Sequence, residues 1–582
     1  MHTDTGLTGE VRSSWVWWAT GLVAIVAFGC GFVGMWEYEQ AVRPGGSVDP
    51  WSVTYHTLQL FILHAPHLDG PIPWSLHVGR LLGAIPVCVA ALIGFFKVFP
   101  DELNLLRLRL PWARGHVVIC GLGEVGVQLA IQGRRRKKRM VAIESQCPQA
   151  TRQLMRQHGV LVLDGDATEE SQLEGARIQR AEFVVASCHD DQTNIALAAA
   201  IGKLAESARG RHNALICRTL IENPDTRRLL SSASFSSDDS RYRVNFTDLD
   251  QHAVAARQAL RMYPLDFQPI RQHDDNLVRL IVVGFGMAGQ SLALHAAQIG
   301  HFANEVGKGR RLLLSIADPT DSLLNEFKTR YPNLERVCDV ELIVLPLSAS
   351  DQVNKLAELC PDGEPAGSLV TYAFCCDDEL GDERNFRLGT ELHEKVRCRA
   401  AQILIRQTSR KGFSAVLSGG RIYPFGMIED VFGWDVLLHE SEDKLARALH
   451  KVYKLKNPSE PHPEWDELGE GYRDSNRQAA DHTSIKLRAL GYHAEQLTKE
   501  KPRIVSFADS EIELLAQMEH IRWCAERYLA GWMYGEQTDR QRKINRNLVA
   551  WDKLLPTEQK KDPEQINTIS EALYSIGLGI YR

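Results

Sequence analysis

The sequence predicts a multidomain protein: two transmembrane α-helices with a candidate pore helix, two doubly wound α/β domains, and a mostly α-helical C-terminal domain. Three observations carry this reading. A chain of 582 residues is too long for one hydrophobic core. Two long apolar runs lie in its first hundred residues, and a strand running into a glycine-rich turn occurs twice, near His116 and near Leu277. The expected boundaries are 1–100 for the membrane part, 101–250 and 251–440 for the α/β domains, 441–487 for a linker and 488–582 for the terminal domain.

Charge is nearly balanced, with 67 Lys and Arg against 73 Asp and Glu, so no nucleic-acid partner is expected. Twelve cysteines contain no C-x-x-C pair, which excludes a disulfide scaffold or a zinc ribbon and suits a reducing compartment.

Ser13 to Trp36 runs 24 residues without a charge, enough to cross about 30 Å of hydrocarbon as a helix (expected 14–36). A secretory signal fits poorly, because the run is long, Trp-flanked and preceded by Arg12 as its only cation. The second span (expected 74–99) holds 16 uncharged residues between Arg80 and Lys97, whose long side chains can snorkel to the interfaces. Lys97, Arg107, Arg109 and Arg114 follow it, whereas Arg43 is the only cation of the connecting loop. Both termini are therefore predicted to be cytoplasmic in a multi-pass protein of the cell membrane, the inner one in a bacterium. Between the spans, Asp49 to Leu63 opens on a helix-start signal and continues with about 13 mostly apolar residues, too few to cross. It fits a re-entrant pore helix (50–63) with Thr54, Tyr55, His56, Thr57 and Gln59 as pore candidates, or an interfacial helix anchored by Trp51 and Tyr55. The sequence after it, HAPHLDGP, has no TVGYG-like filter, so potassium selectivity does not follow.

After a break at Pro111 to Gly115, the apolar HVVIC runs into Gly121, Gly123 and Gly126. Strand, three glycines and helix form the dinucleotide fingerprint, which allows a tight turn, close approach of a pyrophosphate and close helix packing. Glu144 lies 23 residues beyond Gly121 at the end of a second strand, where an acid meets ribose. Strands at 160–163 and 182–187 alternate with helices, and the third ends in Gly165, Asp166, Ala167 and Thr168, so the domain is Rossmann-like.

HVVICGLGEVG and GDAT resemble the TrkA-N, or RCK, domain family over about 115–230. The resemblance implies a cytoplasmic domain that binds NAD(H) or another adenine nucleotide through Gly121, Gly123, Gly126, Glu144 and Asp166. It also implies a homo-oligomer, expected to be a tetramer, and mechanical coupling to a two-helix pore. Arg134 to Arg139 places six cations in one turn, open to membrane lipid head groups, to phosphates or to solvent.

LVRLIVVGFGMAG repeats the opening at Gly284, Gly286 and Gly289, with Asp318 ending the following strand. The insertion 300–310 and the lack of a GDAT turn depart from the first unit, so this one fits a second cofactor site or a structural role. Between the units, 231–275 reads as a flexible connection followed by a helix.

From about Ser441 helical periods dominate, broken by a polar stretch at 457–477 that reads as a linker. Glu519, His520, Trp523 and Arg527, then Gly531, Trp532, Tyr534, Gly535, Lys543, Asn547 and Leu548, resemble the repeat domain of ryanodine receptors (RyR) over 488–582. That resemblance implies a small-molecule sensor for a nucleotide-derived signal such as ADP-ribose, with His520, Trp523, Arg527, Trp532, Tyr534 and Lys543 as ligand residues. Indoles stack on bases and cations meet phosphate. The same tryptophans equally suit a core. The function expected is a ligand-gated membrane ion channel or pore. The alternatives are a membrane-tethered nucleotide receptor without a pore and, with less support, an NAD-dependent oxidoreductase. Against the last, no acid-base set accompanies the first glycine loop, and an enzyme is not expected.

Overall fold

The computed structural model of the chain describes residues 7–43, 47–62, 71–98, 105–106, 108–110, 113–207, 215–221, 223, 226, 244–346, 348–359, 368–396, 401–412, 421–439, 441–458, 463–498 and 503–582. It divides into two compact units, Met1–Ala113 and Arg114–Arg582.

The first unit holds helix α1 (Leu7–Val42), the short helix α2 (Pro50–Gln59) with a one-turn extension to Ile62, and helix α3 (Trp74–Val98). Helix α1 outruns the apolar stretch at both ends because nothing between Leu7 and Val42 breaks a helix, whereas α3 keeps the expected length despite Pro86. Stretches Trp18–Val42 and Trp74–Leu92 are long and apolar enough to cross a membrane. They approach through small residues: a Cβ on Gly79 would sit 2.6 Å from the Gly31 Cα. In lipid, where no hydrophobic force joins helices, such close backbone packing supplies the association. Helix α2 starts where the sequence predicts, with Pro50 in its first turn and the Asp49 carboxylate accepting from the Trp51 and Ser52 amides, each at 3.2 Å. It returns against the α1–α3 pair, with Val53, Thr57 and Leu60 buried and Trp51 and Tyr55 exposed. The stretch His64 to Gly70 lies outside the described residues.

The second unit contains two all-parallel six-stranded sheets. In the first, β1 (Val117–Cys120), β2 (Met140–Glu144), β3 (Leu161–Asp164), β4 (Phe183–Ala186), β5 (Leu215–Leu220) and β6 (Val244–Leu249) stand in the order β3-β2-β1-β4-β5-β6. In the other, β7 (Leu277–Val283), β8 (Leu313–Asp318), β9 (Asp339–Val344), β10 (Ser368–Phe374), β11 (Ala401–Arg406) and β12 (Ile422–Phe425) stand in the order β12-β11-β10-β7-β8-β9. Read from each unit's own first strand, both orders are 3-2-1-4-5-6, so the duplication expected from the glycine turns extends to the whole topology. Strands β5, β6 and β12 are additions to the sequence reading. β6 falls in the segment read as a flexible connection, whose stretch SSASFSSDDS (231–240) lies outside the described residues. The insertion 300–310 is helical at Ala303–Lys308.

Two segments cross between the sheets. Helix Gln251–Met262, capped by Asp250, shares a core with the second sheet through Ala256, Ala259 and Leu260. The turns Ile428–Val431 and Trp434–His439 come after the second sheet yet pack on the first. The indole of Trp434, 1 % exposed, fills the space over Gly133, and its amide donates to Gln132 Oε1 at 2.8 Å. Truncating an indole in such a slot costs about 3–5 kcal/mol.

The linker expected at 441–487 is corrected by the structure. Helices Lys444–Lys456 and Glu470–Ala489 occupy it, and Ala446, Leu449, Trp465, Ala480 and Ile485 join one core with helices Met287–Ile299 and Asp509–Leu529. The polar composition misled because the 470–489 helix buries charge as pairs. Lys486 and Arg522, each 2 % exposed, bracket Glu519 at 1 %. Removing one partner from such an array costs about 3–5 kcal/mol, since the other charge stays buried. The array also tunes its neighbours: burial first, then the Lys486 charge, holds His482 down at about 3. Strand His493–Gln496 pairs antiparallel with Leu578–Tyr581 to close the terminal module.

Candidate functional site

In a 3-2-1-4-5-6 sheet the crevice lies where strand order reverses, between the first and fourth strands at their C-terminal ends. Gly121 ends β1 there with φ +96°, and a Cβ on it would stand 2.6 Å from the Ser187 carbonyl oxygen. Only glycine meets both demands. A Cβ on Gly126 would collide with the Gly121 carbonyl oxygen, so the helix Glu124–Arg135 can start tight against the strand only without a side chain there. Gly123 differs: its N-cap position has no side-chain cap, and among the described residues a Cβ there would meet nothing within 4 Å. The helix N-terminus with its outward amides therefore faces open space, an arrangement suited to phosphate.

Glu144 closes the same loop. Its Oε2 accepts from the Leu122 amide at 2.6 Å and its Oε1 from the Gln146 amide at 3.2 Å, which fixes the carboxylate at the end of β2. Asp166 stands on the turn after β3, where its Oδ1 accepts from the Thr168 amide at 2.8 Å and hydroxyl at 2.7 Å. Those two bonds hold its carboxyl below the usual range. Asp164, by contrast, is paired with Arg152.

Sequence reading missed the fourth-strand side of the crevice. After β4, Ser187 donates to the Cys120 carbonyl at 3.2 Å, and Asn194 clamps the turn: its Oδ1 accepts from the Cys188 amide at 2.8 Å while its Nδ2 donates to the Cys188 and Leu220 carbonyls. The polar run SCHDDQTN was visible, but only the fold shows that Asn194 reaches two strands. Burial, then the Glu144 charge, pushes the Cys188 thiol up to about 11, so it stays protonated. The next residue, His189, is exposed.

The second unit repeats these devices. Gly284 has φ +83° with the Cys376 amide nitrogen 2.9 Å from where its Cβ would be, and a Cβ on Gly289 would collide with the Gly284 carbonyl oxygen. Asp318 accepts from the Phe285 amide at 3.2 Å, as Glu144 does from Leu122, and Asn385 clamps Cys376 to the Arg406 carbonyl as Asn194 clamps Cys188 to Leu220. One feature is reversed. A Cβ on Gly286 would run into the Asp377 carboxylate, with Cγ at 2.6 Å, and Asp377 Oδ2 accepts from the Ala288 amide at 3.3 Å.

In the terminal module, Arg527 lies between two indoles, its guanidinium 5.6 Å from the Trp523 ring and 5.5 Å from the Trp532 ring. Its Nε is buried without a hydrogen-bond partner among the described residues. His520 stacks on Trp523 at 5.9 Å and is itself held, its Nε2 2.8 Å from the Val549 carbonyl. Lys543, at φ 54°, donates to the Ala530 carbonyl at 2.9 Å, while Tyr534 is exposed on a two-residue strand. The fold thus joins His520, Trp523, Arg527 and Trp532 in one stack.

Three of the six cations of the basic turn are held by structural partners. Arg134 donates to the His158 and Lys138 carbonyls, Arg136 pairs with Asp435, and Lys138 pairs with Glu182 at 2.6 Å. Among the pore candidates, Thr54 and Thr57 return their hydroxyls to the Pro50 and Val53 carbonyls at 2.7 and 2.8 Å, and Thr57 is fully buried. His56 lies 3.8 Å from Glu39, Tyr55 is exposed, and Gln59 is half-buried. All described cysteines are free thiols.

Comparison with known proteins agrees with the two motif readings. The TrkA-N domain model matches residues 117–236 and the RyR domain model residues 503–582. An uncharacterized protein of Methanothermus fervidus is 28 % identical over 117 residues, which span 20 % of this chain and 18 % of that protein. Among solved structures, the GsuK channel has TM-score 0.37 at 14 % identity over 75 % of this chain and 84 % of its own. GsuK bound to ADP has TM-score 0.34 at 16 % identity over 74 % and 99 %. The chain therefore carries a TrkA-N (RCK) domain of Rossmann-like topology after two apolar helices, and an RyR domain at its end.

Proposed function

We propose that the protein is a ligand-gated membrane pore in which a dinucleotide or adenine nucleotide, held at the Gly121–Gly126 loop, biases the two spans between closed and open. The observation that carries this reading is the open space over Gly123 at a helix N-terminus, with Glu144 fixed beside it as a ribose acceptor. The membrane unit supplies the other half: a short helix returning against two glycine-packed spans has the form of a pore lining. As a tetramer in the cell membrane, several such domains would share the roughly 5.5 kcal/mol needed to move a gate from 1:99 to 99:1. The Trp523–Arg527–Trp532 stack is a second ligand position, suited to a base bearing phosphate.

Purified protein in planar bilayers tests the proposal. Adding NAD or ADP on the side of the large domain should change the current, and Glu144→Ala should shift the response to higher concentration. Tight nucleotide binding with a silent bilayer would instead make the chain a tethered receptor.

A further inference from the structure

The two glycine loops differ at one chemically decisive position. Cys188 and Cys376 are equivalent, since each stands over the positive-φ glycine and each amide is held by a clamping asparagine. The residue after each is thus equivalent too: His189 in the first unit, Asp377 in the second. Space over Gly123 is open, whereas the carboxylate of Asp377 fills the corresponding space over Gly286 and takes the Ala288 amide.

From this geometry we infer that Asp377 decides the nucleotide stoichiometry: its carboxylate serves as a built-in anion where a ligand phosphate would sit, so that only the first loop of each chain takes a dinucleotide. A phosphate entering the second loop would meet a like charge and lose the helix-terminal amide already engaged. In the first loop the equivalent side chain is an imidazole, which offers no such repulsion. The second unit lacks the GDAT turn but keeps the tight turn at Gly284, the close packing at Gly289 and the fixed carboxylate of Asp318. Asp377 is exposed, so it blocks the loop without being part of a core.

This inference rests on the reading of the first loop as a nucleotide site, and one titration series separates the two. The intact chain in detergent, wild type in both loops or varied there and with Arg527→Ala in every sample so that the terminal stack adds no site, is titrated with NAD in a calorimeter. The wild type should bind one NAD per chain, and both Asp377→Ala and Asp377→His should remain folded and bind two. The double variant Glu144→Ala/Asp377→Ala should keep the newly opened site while the first is weakened. Two sites per chain in the wild type, or one in both Asp377 variants, overturns the inference and leaves the first-loop reading standing. Failure of the wild type to bind NAD overturns the first-loop reading and, with it, the inference.

Discussion

The two α/β units of this chain share strand order, the positive-φ glycine after the first strand, the acid after the second and an asparagine clamp after the fourth. Apart from the insertion 300–310 and the missing GDAT turn, they part over the middle glycine at the residue after the clamped cysteine, His189 against Asp377. The lesson is that a dinucleotide turn has two separable properties. Its backbone shape comes from glycines that pack, and would persist with no ligand at all. Its affinity for phosphate, on the inference drawn from Asp377, depends on what stands over the middle glycine.

The sharpest way to break the comparison is to strain both turns alike. Gly121→Ala and Gly284→Ala each force a side chain into left-handed backbone and against a neighbouring strand, a destabilisation of about 1–2 kcal/mol for the backbone alone. Thermal melting should fall in both, yet only Gly121→Ala should abolish NAD binding in calorimetry. Next in size, Glu144→Ala should weaken NAD by about 1.5–3 kcal/mol, the worth of a hydrogen bond to a charged group, or roughly ten- to a hundredfold. Asp318→Ala should leave the NAD isotherm where it was. Smaller again, Asn194→Ala and Asn385→Ala should each lower stability by about 1–3 kcal/mol through unpaired backbone groups. Equal shifts in denaturant midpoint would show that the clamps are structural equivalents, and unequal ones would break the equivalence used to align His189 with Asp377.

A final measurement uses the terminal module as a reference apart from both loops. Burial first, then the Glu519 charge, pushes the Asp562 carboxyl up to about 7 from 3.8, against the opposing pull of Arg522, Lys486 and Lys561, and His520 lies 3.7 Å away. The folded state thus binds this proton more tightly than the unfolded chain. Its contribution to stability is complete at acid pH and is lost as pH rises through about 7. Melting followed against pH should show that fall, and Asp562→Asn should flatten it without altering NAD binding.

Much of this was legible in the sequence. Helix start at Asp49–Pro50, both apolar spans, the two glycine turns and the acids at 144 and 318 lie where local pattern places them. Strands β5, β6 and β12 were less visible, because they are only four to six residues long and LICRTL, VNFTDL and IYPF break any apolar run with Arg, Asn, Thr, Asp or Pro. The 441–487 stretch looked like a linker because charge density reads as solvent exposure. Lys486 is buried only because a distant helix brings Glu519 to it.

What sequence alone determined is therefore everything written in neighbours: spans by length of apolar run, turns by glycine spacing, strand ends by the acids that follow. What tertiary structure decided is written across hundreds of residues. Trp434 returns to cover Gly133, helix 470–489 finds charged partners inside a core, and Asp377 arrives over Gly286 from a strand about ninety residues away. Local pattern records the backbone preference of a segment, whereas occupancy of a given volume depends on which distant side chain reaches it first. No spacing rule encodes that.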